Sequence, residues 1–479
     1  MHKPHLFHSF AEMIDHYALL TPDSPALICG ENAGITITWK DLQSRIVERA
    51  GILVASGHSC IGVLADGSFS CVLEIFAAAK AGLRIVMLDV NIDEQILKNL
   101  LPYADIDCLY GDEDLIAELA PFLVNAPAVS QCECIEGREG SADSTARHTN
   151  IHNEVLFFTS GTTDRSKAVV LTQESLMASA WNGSSILPLA PEDRLLCMLP
   201  LSHVFGFVCG LLWGLSCGAA VALSRGPRHY QEDCLVFAPT VVSLVPMLLG
   251  FLLKYRALNP ELKTVLIGAG DCPDELLAAA TASGVHVCFG YGLTETSSGV
   301  ALSVSGDPRA MEICPADTVT IAEDGEILIA SPMCMMQGYY KMPSQTEAVL
   351  KEGILSTGDL GFLDSDGRLH ITGRKKEIIV LSDGTKIFLP EYEKECAAVL
   401  NVRELCIIEK DGRILLILVP DPEDQRDEKA YLAALRPVLE KRPRGQKIQE
   451  IIIRKKALPR TAAGKLKRWE VLQGSQENR

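Results

Sequence analysis

The sequence predicts an α/β protein. A large N-terminal domain of mainly parallel sheets flanked by helices, with a β-rich subdomain, is expected to be followed by a small α+β C-terminal domain. Three observations predict it. Through the first 300 residues, short apolar runs of strand length alternate with stretches of helix length, the texture of parallel sheets with crossover helices. Beyond about residue 320 the pattern becomes alternating apolar residues on both sides of Asp-Gly pairs, which reads as β-hairpins. The chain of 479 residues, 48 % apolar and 22 % charged, is too long for one ordinary core yet typical of a folded protein.

Taken in order, strands are expected at IGVLA (61–65), RIVML (84–88), AVVLT (168–172), TVVSLV (240–245), TVLIGAG (264–270) and VHVCFGYG (285–292). Helices are expected at CVLEIFAAAKAG (71–82), EQILKNLL (94–101) and DELLAAATASG (274–284). TVTIAEDGEILIAS (318–331) and GFLDSDGRLHITG (361–373) are the hairpins. The last hundred residues mix strands at CIIEK, RILLILVP and QEIIIRKKAL with one helical stretch, EKAYLAALRPVLEK (428–441). The most loop-like internal segment is 137–150, and no repeat is present. Residues 205–223 carry no charge over a bilayer's length, but three glycines and the lack of a preceding basic block make them a buried helix followed by a strand.

Charge narrows the function. A formal net charge of −17 argues against nucleic acid as a partner. The tail is different: residues 441–479 hold twelve Lys or Arg against three Glu, so this end is expected to meet something anionic. Sixteen cysteines without regular spacing, and a lone Cys132/Cys134 pair, give no zinc pattern. With no apolar leader in MHKPHLFHSF, reduced thiols in a cytoplasmic location are expected.

Four stretches carry chemistry. FTSGTTDRSKAVV (158–170) gathers Thr159, Ser160, Gly161, Thr162 and Thr163, with Lys167 four positions later. Hydroxyls and backbone N–H groups in a turn surround phosphate oxygens, and the lysine completes the charge. A Ser/Thr-rich surface turn would use the same residues, and the glycine that precedes the lysine of a Walker loop is missing. YGLTETSS (291–298) offers Tyr291 for stacking on a purine, Thr294 for a phosphate and Glu295 as a hard-oxygen ligand for magnesium; a capped strand-to-helix turn is its plainer reading. In the segment 356–380, Asp359 stands in a TGD turn where a carboxylate accepts from ribose hydroxyls. Arg374 follows the hairpin, within reach of ribose or phosphates or simply solvated. LPRTAAGKLKR (458–468) sets Lys465 after a glycine, on a loop able to carry it into a distant site or leave it in solvent.

These stretches in this order, with LPLSHVFG (199–206), GEILIASPMCMMQGYY (325–340) and AKAGLRIVMLD (79–89), resemble the adenylate-forming (AMP-binding) superfamily of acyl- and aryl-CoA synthetases, peptide-synthetase adenylation domains and firefly-type luciferases. The tail looks most like bacterial long-chain fatty-acyl-CoA ligases. The resemblance implies two half-reactions: a carboxylate attacks the α-phosphorus of ATP, then a thiol displaces AMP from the acyl-adenylate. It implies ATP and CoA as co-substrates with Mg2+, or an acyl carrier protein in place of CoA, and no membrane partner beyond peripheral contact. It gives the loop from Thr159 to Lys167 to the phosphates, Tyr291 to adenine, Thr294 to the α-phosphate, Glu295 to magnesium, and Asp359 with Arg374 to the ribose. Gly268, Ala269, Gly270 and Gly292 fall to the nucleotide, His203 to the acyl pocket, and Lys465 to the bridge between carboxylate and α-phosphate. It divides the chain into residues 1–373 and 374–479 about a hinge near Lys376.

The expected enzyme is thus an acid–thiol ligase. The absence of charge over 235–253 argues against an amino acid and suits an apolar acid, and the tail's resemblance implies a medium- or long-chain fatty acid. The alternatives are an aryl acid, succinylbenzoate-like acids included, a carrier-protein ligase, or an inactive nucleotide-binding relative. The chain departs from the family at Asp164, Ser166 and Ala168 in the phosphate loop, at Leu83 and Arg84, at Val380, and in the late proline of SDGTKIFLP.

Overall fold

The computed structural model describes residues 4–30, 34–111, 115–116, 119–123, 152–159, 167–270, 272–380, 386–410, 412–460, 466, 468 and 470–471. The phosphate-loop residues 160–166, the segment 137–150, Cys132, Cys134 and Lys465 lie outside the described residues.

Two parallel-rich sheets form the N-terminal body. The first runs Gly338–Tyr339, Ala168–Thr172, Glu154–Phe158, Arg84–Leu88, Cys60–Leu64, Cys108–Tyr110. Its last four strands are parallel, and the first two joints are antiparallel. The second has nine strands. From His286–Leu293 through Thr264–Ile267, Val241–Leu244, Arg194–Cys197 and Ala220–Leu223 to Pro25–Cys29 every pairing is parallel. These central strands are buried on both faces, which is why they read as unbroken apolar runs.

Local chemistry sets the helices. Phe69–Ala81 starts at Ser68, whose side chain accepts from Cys71 N, and stops at Gly82 in the left-handed region. The uncharged stretch at 205–223 is helix, one π turn at Val208–Leu212, helix again, then the strand Ala220–Leu223. It lacks charge because it is packed into the core: a methyl group on Gly214 would stand 2.7 Å from Val221. Among the described residues no helix is long and apolar enough to cross a membrane.

The β-rich part consists of the two expected hairpins, Thr318–Ile321 with Glu326–Ala330 and Ile354–Leu363 with Leu369–Arg374, in one sheet. The tail holds a three-stranded sheet of Glu404–Lys410, Arg413–Val419 and Glu450–Ile453. It carries two helices where the sequence reading expected one. Glu428–Leu439 is the expected one, and Leu389–Leu400 is the addition. Pro390 disguised it, although proline is at home in a first helical turn. Leu389, Tyr392, Cys396 and Leu400 bury one face at helical spacing. The apolar core over residues 379–451 is separate from the main core over residues 7–369.

Candidate functional site

The strands Glu154–Phe158 and Ala168–Thr172 pair antiparallel out to Phe158 and Ala168, which brings the two ends of the phosphate loop together. There Thr159 N donates to Lys167 O at 2.9 Å, and Lys167 N to Thr159 Oγ1 at 3.4 Å. Thr159 and Lys167 are thus fixed at the mouth of the loop; Ser160, Gly161, Thr162 and Thr163 lie outside the described residues.

The strand His286–Leu293 turns sharply at Thr294–Thr296 and returns as Ser298–Leu302. Thr296 Oγ1 receives Leu293 N at 3.1 Å, and Ser297 Oγ donates to Cys334 O at 2.7 Å. Gly292 faces Gly299 across this hairpin, and only glycine fits at 292, since a Cβ would lie 1.6 Å from Ser298 O. The turn presents Thr294 and Glu295 half-exposed. Tyr291 is buried, and its hydroxyl donates to Asp359 Oδ2 at 3.0 Å. Its phenol is therefore spent on holding Asp359, a role the sequence reading did not give it.

Asp359 and Arg374 stand opposite one another in their hairpin, with Arg374 Nε 2.8 Å from Asp359 Oδ1. The Asp359 side chain is 5 % exposed and that of Arg374 45 %, so the aspartate is the fixed member. Each carboxylate oxygen has two lone pairs, which leaves acceptor capacity for a further donor.

The two halves of the site meet through a residue that the sequence reading quoted but assigned no role. Tyr339 donates to Glu295 Oε1 at 2.8 Å, and Lys167 Nζ lies 4.2 Å from the centre of its ring. Desolvation holds the Lys167 ammonium below the ordinary lysine range; Glu295 opposes that shift and Lys376 adds to it. Contacts therefore run from Lys167 through Tyr339 to Glu295, and from Tyr291 through Asp359 to Arg374, the two ends being joined by residues 291–295. The only sequence signal for Tyr339 was its place in the quoted QGYY.

His203 is the residue before the helix Val204–Phe207, with Nε2 3.9 Å from Oδ2 of Asp89, the residue that follows the strand Arg84–Leu88. Gly268 lets the ring of Phe205 approach to within 2.8 Å of where a Cβ would be; Ala269 follows in the left-handed region and Gly270 is half-buried. An apolar cavity of about 30 Å³ is lined among others by Val208, Cys209, Leu266, Gly299 and Leu302. Arg84, an unusual residue at its position, bridges Glu154 at 2.7 Å and the Tyr340 hydroxyl at 2.9 Å, which anchors the chain just past Tyr339.

A metal can be held at Glu295, a single hard-oxygen carboxylate beside the Thr294 hydroxyl, which suits magnesium because that ion takes most of its ligands from water and substrate phosphates. Among the described residues, His58, Asp107 and Cys108 also bring ligand atoms within 4.8 Å of one another. There Asp107 already accepts from Ser59 N, Ser59 Oγ and Cys60 N, and burial pushes the Cys108 thiol far up, away from the thiolate a metal needs. Backbone capping explains that group.

A family model described as AMP-binding enzyme matches residues 14–340. An indoleacetate–CoA ligase of Aromatoleum aromaticum is 27 % identical, over 97 % of this chain and 97 % of the relative. A 2-succinylbenzoate–CoA ligase of Bacillus cereus is 27 % identical, over 95 % and 96 %. Among solved structures, o-succinylbenzoate CoA synthetase from Bacillus subtilis, in complex with its acyl-adenylate intermediate, superposes with a TM-score of 0.81 at 23 % identity, covering 96 % of this chain and 97 % of that one.

Proposed function

The chain belongs to the AMP-binding enzyme family, and on that premise we propose that it is an acid–thiol ligase that activates an aryl carboxylic acid with ATP and passes the acyl group to the thiol of CoA. The observation that carries the reading is the chain of contacts Lys167–Tyr339–Glu295 and Tyr291–Asp359–Arg374. It draws four distant segments around one place suited to a nucleotide.

The roles follow from the side chains. Lys167 supplies fixed positive charge to the departing pyrophosphate, in a setting that strengthens electrostatics because it is partly desolvated. Thr294 donates to the α-phosphate. Glu295 and the phosphates would hold Mg2+, which neutralises charge as the phosphorus is attacked. Asp359 accepts from the ribose hydroxyls, held rigid by Tyr291 and Arg374. His203 and Asp89 border the acid, and the end of the strand at Gly268–Gly270 lies beside it. Lys465 approaches from the tail for the first half-reaction and withdraws for the second, by rotation of residues 374–479 about Lys376. Arg468, paired with Glu393 at 2.5 and 2.9 Å and donating to Ile407 O, ties the chain just after Lys465 to the tail's own core.

The fatty acid expected from the tail motif gives way to an aryl acid because the curated relatives are named for indoleacetate and 2-succinylbenzoate. The test incubates the protein with ATP, Mg2+ and each of indole-3-acetate, 2-succinylbenzoate, benzoate, hexadecanoate and an amino acid, with CoA or a phosphopantetheinylated carrier protein as acceptor. AMP release and product mass are then read. Aryl acids with CoA should give AMP and acyl-CoA. A preference for hexadecanoate overturns the aryl assignment, loading of the carrier protein overturns the acceptor, and ATP binding without pyrophosphate release from any acid marks an inactive relative.

A further inference from the structure

Tyr339 reaches both charged groups of the phosphate end of the site. Among the described residues it is the sole hydrogen-bond donor to the Glu295 side chain, and Lys167 Nζ lies over its ring and is in no ion pair with a carboxylate. We infer that Tyr339 is a positioning residue that sets the magnesium carboxylate and the phosphate-loop lysine in register with one another before nucleotide arrives. This rests on the ligase reading above.

Its own position is fixed on every side. Gly338 and Tyr339 pair with Val170 and Val169, two residues beyond Lys167. Tyr339 N donates to Thr346 Oγ1 at 2.9 Å, and Tyr340 N to Ala168 O at 2.8 Å. One turn earlier Met336 N donates to Glu295 O at 2.8 Å, so the same segment is stitched to the backbone of the lysine strand and to that of the glutamate turn. Beyond it, the Tyr340 hydroxyl is held by Arg84 and donates to Asp105.

Two separable effects follow. The hydroxyl takes Glu295 Oε1 and selects one orientation of the carboxylate, so that the ordering cost of a flexible glutamate is met in folding and not on metal binding. The ring gives Lys167 an aromatic face, which seats the ammonium without neutralising it by a carboxylate and leaves its charge for phosphate.

The experiment measures ATP binding by calorimetry, with EDTA and across a Mg2+ titration, on wild type, Tyr339→Phe, Tyr339→Leu, Glu295→Gln and the Tyr339→Phe/Glu295→Gln double variant. Tyr339→Phe keeps the ring and should leave ATP affinity in EDTA unchanged while raising the Mg2+ needed for half-maximal enhancement about tenfold, the loss of one hydrogen bond to a charged group. Tyr339→Leu should also weaken ATP binding in EDTA, through Lys167. The double variant should be no worse than Glu295→Gln alone, since the hydroxyl acts through that carboxylate. Wild-type Mg2+ dependence in Tyr339→Phe, or additive effects in the double variant, overturns the inference alone. Failure of the wild-type protein to bind ATP overturns the ligase reading and this inference with it.

Discussion

Replacing Gly292 with alanine strikes the backbone contact that sets the turn bearing Thr294 and Glu295. The added methyl group would stand 1.6 Å from Ser298 O, 2.4 Å from Ser298 C and 2.9 Å from Gly299 Cα. All three are backbone atoms, so no side-chain rotation relieves the clash. An ordinary carbon–oxygen contact is about 3.3 Å, so the strands must part by about 1.7 Å at this point. The pairings that give way are Gly292 with Gly299 and Leu293 with Ser298. Two backbone hydrogen bonds at about 1 kcal/mol each, with about 1–3 kcal/mol of overpacking, put the cost at about 3–5 kcal/mol. Thr294 and Glu295 ride on the displaced strand, and a shift of about 1 Å in a catalytic group costs about a hundredfold in rate. Differential scanning fluorimetry should show a clear fall in Tm, and ATP–pyrophosphate exchange should drop by two orders of magnitude or more. Gly299→Ala is the stability control: nothing lies within 4 Å of its added methyl group, and its Tm should match wild type. A Gly292→Ala protein with wild-type Tm and exchange would refute the reasoning.

Two further outcomes are expected. Lys465→Ala should abolish adenylate formation while sparing thiolysis of a supplied acyl-adenylate, measured by exchange and by acyl-CoA mass; equal loss of both steps would contradict a lysine that serves only the first. Asp317 is buried, bonded by Ser331 and Asn182, and its carboxyl is pushed up from 3.8 to about 6, chiefly by desolvation. A raised folded pKa means that the fold favours the protonated form. Its stabilising contribution is therefore complete below about pH 4 and is lost as pH rises through 6, by about 3 kcal/mol. Asp317→Asn cannot titrate, so urea midpoints of wild type and variant should diverge between pH 4 and 7, the variant gaining; a pH-independent difference would count against this assignment.

Much of the architecture was legible because periodicity and turn chemistry are local. The apolar runs of the parallel strands, the two Asp-Gly hairpins and the helix at 69–81 can each be read within a window of about a dozen residues. The helix Leu389–Leu400 was missed for an equally local reason, because Pro390 was read as a hinge-side landmark and not as a first-turn residue.

The sequence by itself determined which groups are available to the site: a lysine behind a hydroxyl-rich loop, a glutamate in a TET turn, an aspartate and an arginine flanking a hairpin. Only the tertiary structure decided how they are held. The Tyr291 hydroxyl goes to Asp359, and Tyr339 joins Lys167 to Glu295, 44 residues away in sequence from the tyrosine. Arg84, at odds with its neighbours in the sequence, finds Tyr340 256 residues on. Residue type and spacing encode chemistry and local conformation. A hydrogen bond between distant segments depends on which strands become neighbours, and that is set by burying the whole chain's apolar surface at once.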